Sequence, residues 1–188
     1  MDLSTELTDG VVLLRPFRMD DVEKVFESVR ESLTELKPWM SWAHDGYTLQ
    51  ETEDYVRITR ARWEENTLFA FAITDANTGG ILGGCGLSQK HPVYHFCNLG
   101  YWVRSSRHGQ GIAGRAAKLI ARFGFEQAGL IRAEIVMAVP NEKSRRVAEK
   151  SGAHYEGILL NRMVVRESIY DAHMYSLLPS DFGLVARL

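Results

Sequence analysis

The sequence predicts an α/β (α+β) domain built on a mixed, mostly antiparallel central sheet flanked by helices, in the order β-αα-βββ-α-β-α-ββ. Three observations carry that expectation. Three short β-rich runs follow one another between Leu68 and Val103, separated by Asn77-Thr78-Gly79-Gly80 and by a loop around His91-Pro92, and such tight turns favour an antiparallel meander. Two helical runs precede the meander, and one long amphipathic run follows it. No repeat, low-complexity tract or linker divides the 188 residues, so positions 1–188 are expected to share one core.

Val11-Val12-Leu13-Leu14-Arg15-Pro16 follows a glycine and is rich in β-branched residues, which predicts a first strand ended by Pro16. Asp20 and Asp21 are placed to cap a helix reaching about Leu36, with Val22, Val25, Phe26 and Val29 at helical spacing. Thr48 opens a second helix, with Thr52 sharing in its capping and Tyr55, Ile58 and Trp63 recurring on one face. Residues 68–74, 81–87 and 96–103 supply the meander. Ile112, Ala116, Leu119, Ile120 and Phe123 then mark an amphipathic helix that stops near Gly129. Residues 131–139 read as a strand closed by Pro140-Asn141, residues 144–150 as a short helix closed by Gly152, and residues 155–165 and 168–178 as a last pair of strands.

Composition excludes several function classes. A formal net charge of −2 and a pI near 6.3 leave no electrostatic footprint for nucleic acid, where a domain pI above about 9 is typical. No run approaches the roughly 18 apolar residues of a membrane span, and the opening Met1-Asp2-Leu3-Ser4-Thr5-Glu6 lacks the basic and apolar regions of a signal peptide. No nucleic-acid or membrane partner is expected, and the expected location is cytoplasmic. Cys85 and Cys97 form neither a C-x-x-C pair nor a cluster with His at ligand spacing, so they are expected as reduced, partly buried thiols without a metal.

The stretch Gly109-Gln110-Gly111-Ile112-Ala113-Gly114, between a strand-like and a helix-like run, has the chemistry of a phosphate site. Glycines there let backbone N–H groups at a helix N-terminus approach an anion. Spelled G-x-G-x-x-G it matches a dinucleotide fingerprint, with Glu134 about 20 residues further on. That assignment fits poorly. Five polar residues, Arg104-Ser105-Ser106-Arg107-His108, separate Val103 from the first glycine, the preceding strands look antiparallel, and Glu134 lies mid-strand. No Gly-Lys-Ser/Thr follows, which removes the P-loop as well.

Read as His108-Gly109-Gln110-Gly111-Ile112-Ala113, the same stretch resembles the acyl-CoA pyrophosphate loop of the GNAT superfamily of N-acyltransferases. Gly100-Tyr101-Trp102-Val103 before it, and Asn141-Glu142-Lys143-Ser144 and Glu149-Lys150-Ser151-Gly152-Ala153 after it, resemble further motifs of that superfamily. The subgroup it is similar to is the RimJ/RimL type, which acetylates protein N-termini; Lys37-Pro38-Trp39-Met40-Ser41-Trp42-Ala43 and Tyr175-Ser176-Leu177 extend the likeness over nearly the whole chain. Two positions depart from the pattern. His108 stands where Gln or Arg is usual, and Asn98 where an acidic residue often supplies a base.

The resemblance implies a GNAT fold and transfer of the acetyl group of acetyl-CoA to a primary amine by direct attack, with CoA as product and no metal. It further implies a protein or peptide N-terminal α-amine as acceptor, and a homodimer. Alternatives are a small amine, such as a polyamine or aminoglycoside, and an acyl-CoA-binding sensor without chemistry. Cofactor contacts are expected from Tyr101, Trp102 and Val103, from His108, Gly109, Gln110, Gly111, Ile112, Ala113 and Gly114, and from Asn141 and Ser144. An N–H near Val103 is the expected oxyanion donor and the Ser144 hydroxyl the proton donor to sulfur, although Asn141 could also be a plain helix cap. Glu134 is the best-placed carboxylate for a base, against the bland reading of a paired surface Glu. Trp39, Trp42 and Tyr47 are the candidate walls of the acceptor pocket, against a role in closing the core. His91, His95, His154 and His173 could titrate near neutrality, and Lys143, Arg145 and Arg146 could meet a phosphate or form a solvated helix face.

Overall fold

The computed structural model describes residues 2–186; Met1, Arg187 and Leu188, including the first residue of the opening segment, lie outside the described residues. Its strands are β1 (Leu7–Thr8), β2 (Val12–Pro16), β3 (Phe69–Asp75), β4 (Ile81–Ser88), β5 (Phe96–Val103), β6 (Arg132–Ala138), β7 (His154–Val165) and β8 (Ser168–Leu177). The helices are α1 (Val22–Leu36), α2 (Leu49–Glu64), α3 (Ile112–Glu126) and α4 (Glu142–Lys150). The strands form one sheet in the order β1-β2-β3-β4-β5-β6-β8-β7. Every neighbouring pair is antiparallel except β5 with β6.

Strand alternation sends successive side chains to opposite faces, each with its own core. On one face Cys97, Leu99 and Val103 of β5 and Ala133, Ile135 and Met137 of β6 pack with Ala116, Ile120 and Phe123 of α3. Trp63, at the end of α2, joins that core through Phe71 and Phe123, with ring centroids 4.8 and 6.0 Å away. The other face packs Ala70, Ala72 and Ile81 against Val22, Val25 and Val29 of α1 and Val56 of α2, with Trp102 at its margin. Small residues on β4 make room there. A Cβ added to Gly84 would lie 2.8 Å from the Trp102 indole nitrogen, so a side chain there would collide with that ring.

Several local expectations need correction. The strand β1 was not foreseen; it is two residues long and pairs only with β2. The buried face of α2 carries Thr52, Val56, Thr59 and Trp63, whereas Tyr55 and Ile58 are 40% and 52% exposed. Two buried threonines define that face, which an apolar pattern passes over. Thr52 does not cap the helix: Thr48 exchanges bonds with Glu51 in a capping box, and Thr52 donates to the Tyr47 hydroxyl. Asp21 precedes α1 without capping it by its side chain. Its carboxylate instead accepts two bonds of 2.7 Å from buried Arg15 and one of 2.8 Å from the Arg18 amide, closing a short 3-10 turn. Both cysteines are free and buried, deeper than expected, and burial pushes the Cys97 thiol up to about 12.

Candidate active site

The strands β5 and β6 pair over only three positions, Phe96 with Arg132, Cys97 with Ala133 and Asn98 with Glu134, and then separate. Beyond that vertex a cleft of about 340 Å³ runs through the sheet. Its walls are Asn98 to Tyr101 of β5 and Ile135 to Ala138 of β6, with Asn141 and Ser144 of the α4 turn on one side and Trp39 and Met40 of the α1–α2 connection on the other. Neither strand has a residue of positive φ at the opening, and α3 packs its apolar face against both.

Past the vertex, β5 keeps its antiparallel ladder with β4, and the Arg104 amide continues it by donating to Leu82 O at 2.8 Å. Alternation then turns the amides of Trp102 and Gly100 toward β4 and those of Tyr101 and Val103 toward the cleft. The Val103 N–H thus lies on the open edge, while the Trp102 ring packs on the far face beside Trp42, with centroids 6.3 Å apart.

The polar stretch after β5, which set this loop apart from a dinucleotide site, is bound to α1. Glu31 accepts from the Arg104 guanidinium and from the Ser106 amide, Ser32 Oγ accepts from the Ser105 amide, and the Ser105 hydroxyl donates to Glu35. The Arg104 bond, with those of Ser106, draws the Glu31 carboxyl down to about 2. His108 Nε2 reaches back to Val103 O at 2.9 Å. Gly109 and Gly111 follow with φ of +78° and +75°, and an added Cβ at either would meet nothing within 4 Å. The loop is therefore glycine-dependent for its conformation and open on its outer side. The first intrahelical bond of α3 runs from Arg115 N–H to Gly111 O, so the amides of Ile112, Ala113 and Gly114 precede any partner within the helix. Free amides at a helix N-terminus beside glycines with open space around them have the donor chemistry that an anion such as a diphosphate requires.

Across the cleft, Asn141 caps α4 by accepting from the Ser144 amide at 3.1 Å. That bond fixes the first turn and places Ser144 beside β5, where the Tyr101 hydroxyl lies 3.1 Å from both Ser144 Oγ and Ser144 O. Burial pushes the Tyr101 phenol up to about 12.

The remaining expected residues are distributed unevenly. Trp39 lines the cleft. Trp42 is 39% exposed and leans on Tyr47, and Tyr47, only 6% exposed, sits in the core behind it rather than on the wall. Glu134 stands at the vertex opposite Asn98, but its carboxylate accepts from Arg132 Nε at 2.9 Å and is absent from the cleft lining. Arg132 also holds Glu156 through two further bonds. The four histidines are engaged outside the cleft: His91 accepts from the amides of Val93 and Tyr94, His95 meets Gly129 O, His154 meets Asp181, and His173 meets the Tyr155 hydroxyl. Arg145 pairs with Glu142 and Glu149 along α4.

Met40, Gln89, Arg162, Met163 and Val164 line the cleft without having been foreseen. Residues 155–165 read correctly as strand, but period-two alternation gives no sign of the irregularity at which Arg162, itself exposed, borders the cleft. Among the described residues no group of three or more His, Cys, Asp or Glu is placed to hold a metal ion, and no helix is long and apolar enough to cross a membrane.

Residues 12–154 match the family model described as the acetyltransferase (GNAT) domain. The Bacillus subtilis (strain 168) protein YdaF is 27% identical over 173 residues, 91% of this chain and 93% of that one. The ribosomal-protein-serine acetyltransferase of Escherichia coli (strain K12) is 21% identical over 155 residues, 82% of this chain and 86% of that one. Among solved structures, Mycobacterium smegmatis RimJ in complex with CoA-disulfide superposes with a TM-score of 0.82 at 25% identity, covering 97% of this chain and 90% of that one. A family match over most of the sheet, with a glycine loop at the head of α3 and a cleft between splayed strands, is sufficient: the chain belongs to the GNAT acetyltransferase family and is an acetyl-CoA-dependent N-acetyltransferase.

Proposed function

We propose that this enzyme acetylates the α-amine of a protein or peptide N-terminus by direct attack, with no acyl-enzyme. The observation that carries the proposal is the through-sheet cleft, which joins the Tyr101–Ser144 pair on one face to Trp39 and Met40 on the other. Such a passage admits an extended chain end-on. The cleft lining includes no Asp or Glu, so a polyamine or aminoglycoside would find no carboxylate for its additional charges, which favours the peptide over the small amine. An α-amine with a pKa of about 7.7 to 8.0 also carries a useful neutral fraction near pH 7.

Acetyl-CoA supplies the activated acetyl thioester. In the proposed arrangement the amides of Gly109 to Gly114 hold the diphosphate, assisted by the positive end of α3. The Val103 N–H, on the open edge of β5, donates to the carbonyl oxygen as negative charge develops there. Ser144 Oγ, positioned by the Asn141 cap and by Tyr101, delivers the proton where sulfur leaves. Glu134 is retained as the candidate acceptor of the amine proton through water, from its place at the vertex. Trp42, backed by Tyr47, flanks the acceptor entrance beside Trp39. Self-association into a dimer and a cytoplasmic location belong to the same proposal, and sedimentation of the purified chain tests the first.

Incubation with cell lysate and isotopically labelled acetyl-CoA, followed by mass spectrometry, tests the acceptor class. Label on N-terminal α-amines is expected. Label confined to small amines would overturn the proposal, and absence of CoA release with any amine would remove catalysis itself.

A further inference from the structure

The strands β7 and β8 do not pair evenly. Leu159 pairs with Ala172 and Met163 with Tyr170, so Leu160, Asn161 and Arg162 stand opposite Asp171 alone. Asn161 takes a left-handed φ of +51°, and its amide donates to the Asp171 carboxylate at 2.8 Å. The Asp171 carbonyl in turn accepts from the Val139 amide at 2.9 Å, just beyond β6. A bulge held at both ends re-aims the side chains it carries, and here Arg162, exposed to solvent, joins the wall of the cleft.

Arg162 is the one charged residue in that wall. Several other arginines are held by carboxylates, as Arg104 is by Glu31, Arg115 by Asp9 and Arg132 by Glu134 and Glu156; what sets Arg162 apart is its place on the cleft. Arg162 has no hydrogen-bond or ion-pair partner among the described residues, and no carboxylate lines the cleft beside it. A guanidinium presents a planar fork of donors suited to a carboxylate, and like charge opposite it is strongly disfavoured.

We infer that Arg162 is a specificity residue, and that the preferred acceptor is a peptide whose amino-terminal segment carries a carboxylate side chain a short distance beyond the reacting amine. The inference rests on the N-terminal reading above and narrows it. Trp39 and Met40 bound the chain on one side, the Tyr101–Ser144 pair marks the reacting end, and Arg162 receives the acidic side chain.

Steady-state kcat/KM for peptides with one common amino-terminal dipeptide, followed by Asp-Glu, Ala-Ala or Lys-Lys, tests this, with free serine and spermidine as further acceptors. The wild type should prefer the acidic over the basic peptide by at least about tenfold, the factor that 1.4 kcal/mol supplies. Arg162→Glu should reverse that ratio and Arg162→Lys should keep its direction; if the Glu variant does not fold, the wild type and the Lys variant still decide. Equal kcat/KM for the three peptides, or equal losses on all of them in Arg162→Glu, would overturn the inference while leaving N-terminal acetylation intact. Serine turned over faster than the acidic peptide would move the recognised carboxylate to a free amino acid and also overturn it. Spermidine ahead of every peptide, or no turnover at all, would overturn both the inference and the N-terminal reading.

Discussion

The Tyr101 hydroxyl stands 3.1 Å from Ser144 Oγ and 3.1 Å from the Ser144 carbonyl oxygen, one residue on β5 and the other in the first turn of α4. A phenol has one proton to give. Donated to the carbonyl, it leaves the serine hydroxyl as the donor in the pair; donated to Oγ, it leaves the serine proton free to point into the cleft. Either way the pair joins β5 to α4 and holds a hydroxyl proton beside the cleft, where the proposed mechanism has sulfur depart. Ser144→Ala should therefore lower turnover by about a hundredfold or more, with CoA affinity by calorimetry changed far less. Unchanged turnover would retire the hydroxyl from the chemistry.

Tyr101→Phe keeps the ring and removes the bond. The expected effect is a smaller loss of turnover than in Ser144→Ala, with a stability loss of about 1 kcal/mol in denaturant unfolding. A loss as large as that of Ser144→Ala would make the phenol itself the proton donor.

Because burial holds the Tyr101 phenol up near 12, it keeps its proton across the working range. The profile of kcat/KM should rise toward pH 8 as a peptide α-amine loses its proton, then level off. A descending limb below pH 9 that disappears in Tyr101→Phe would contradict this assignment.

At the loop, Gly111→Asp places a carboxylate against the proposed diphosphate cradle and forces a φ of +75° on a side chain. CoA binding by calorimetry should be abolished, whereas Gly111→Ala should bear a strain of about 1 kcal/mol and retain weakened binding. Full affinity in the Asp variant would show that the diphosphate sits elsewhere.

Glu31 gives a pH prediction with a definite sign. Its folded value of about 2 lies below the ordinary 4.5, drawn down first by Arg104. A lowered carboxyl contributes stability that is fully present above about 4.5 and is lost as pH falls toward 2. Glu31→Gln should cost about 1 kcal/mol at neutral pH, allowing for a partly solvated pair, and the difference from wild type should vanish near pH 2. A difference independent of pH would assign the effect to packing.

Glu134→Gln addresses the remaining carboxylate. Since its oxygen already serves Arg132, turnover should fall less than in Ser144→Ala. A loss of a hundredfold together with a flattened pH profile would make Glu134 the principal base.

The sequence exposed what depends on local chemistry. The glycines at 109 and 111 and the alternation of β5 follow from short-range backbone rules, and both were legible. The Asn141 cap was legible too, since Asn accepts from the third residue of its helix. What escaped depends on tertiary contact. Tyr101 meets Ser144 across 43 positions, and the face of α2 turns on threonines buried by their neighbours. Arg162 borders the cleft from a stretch in which three residues of β7 stand opposite Asp171. A bulge leaves the composition of its strand unaltered, so no pattern of apolar residues reveals it.

The short parallel contact between β5 and β6 also gives a readout independent of turnover. After Asn98 the amides of Tyr101 and Val103 face an edge that no strand covers, so solvent deuterium should reach them quickly, while the Trp102 and Gly100 amides on the β4 side stay slow. A cofactor arm lying along that edge would stand in for the missing strand. The two fast amides should then slow in step with occupancy, which makes their exchange a measure of where acetyl-CoA lies even in a variant that no longer turns over.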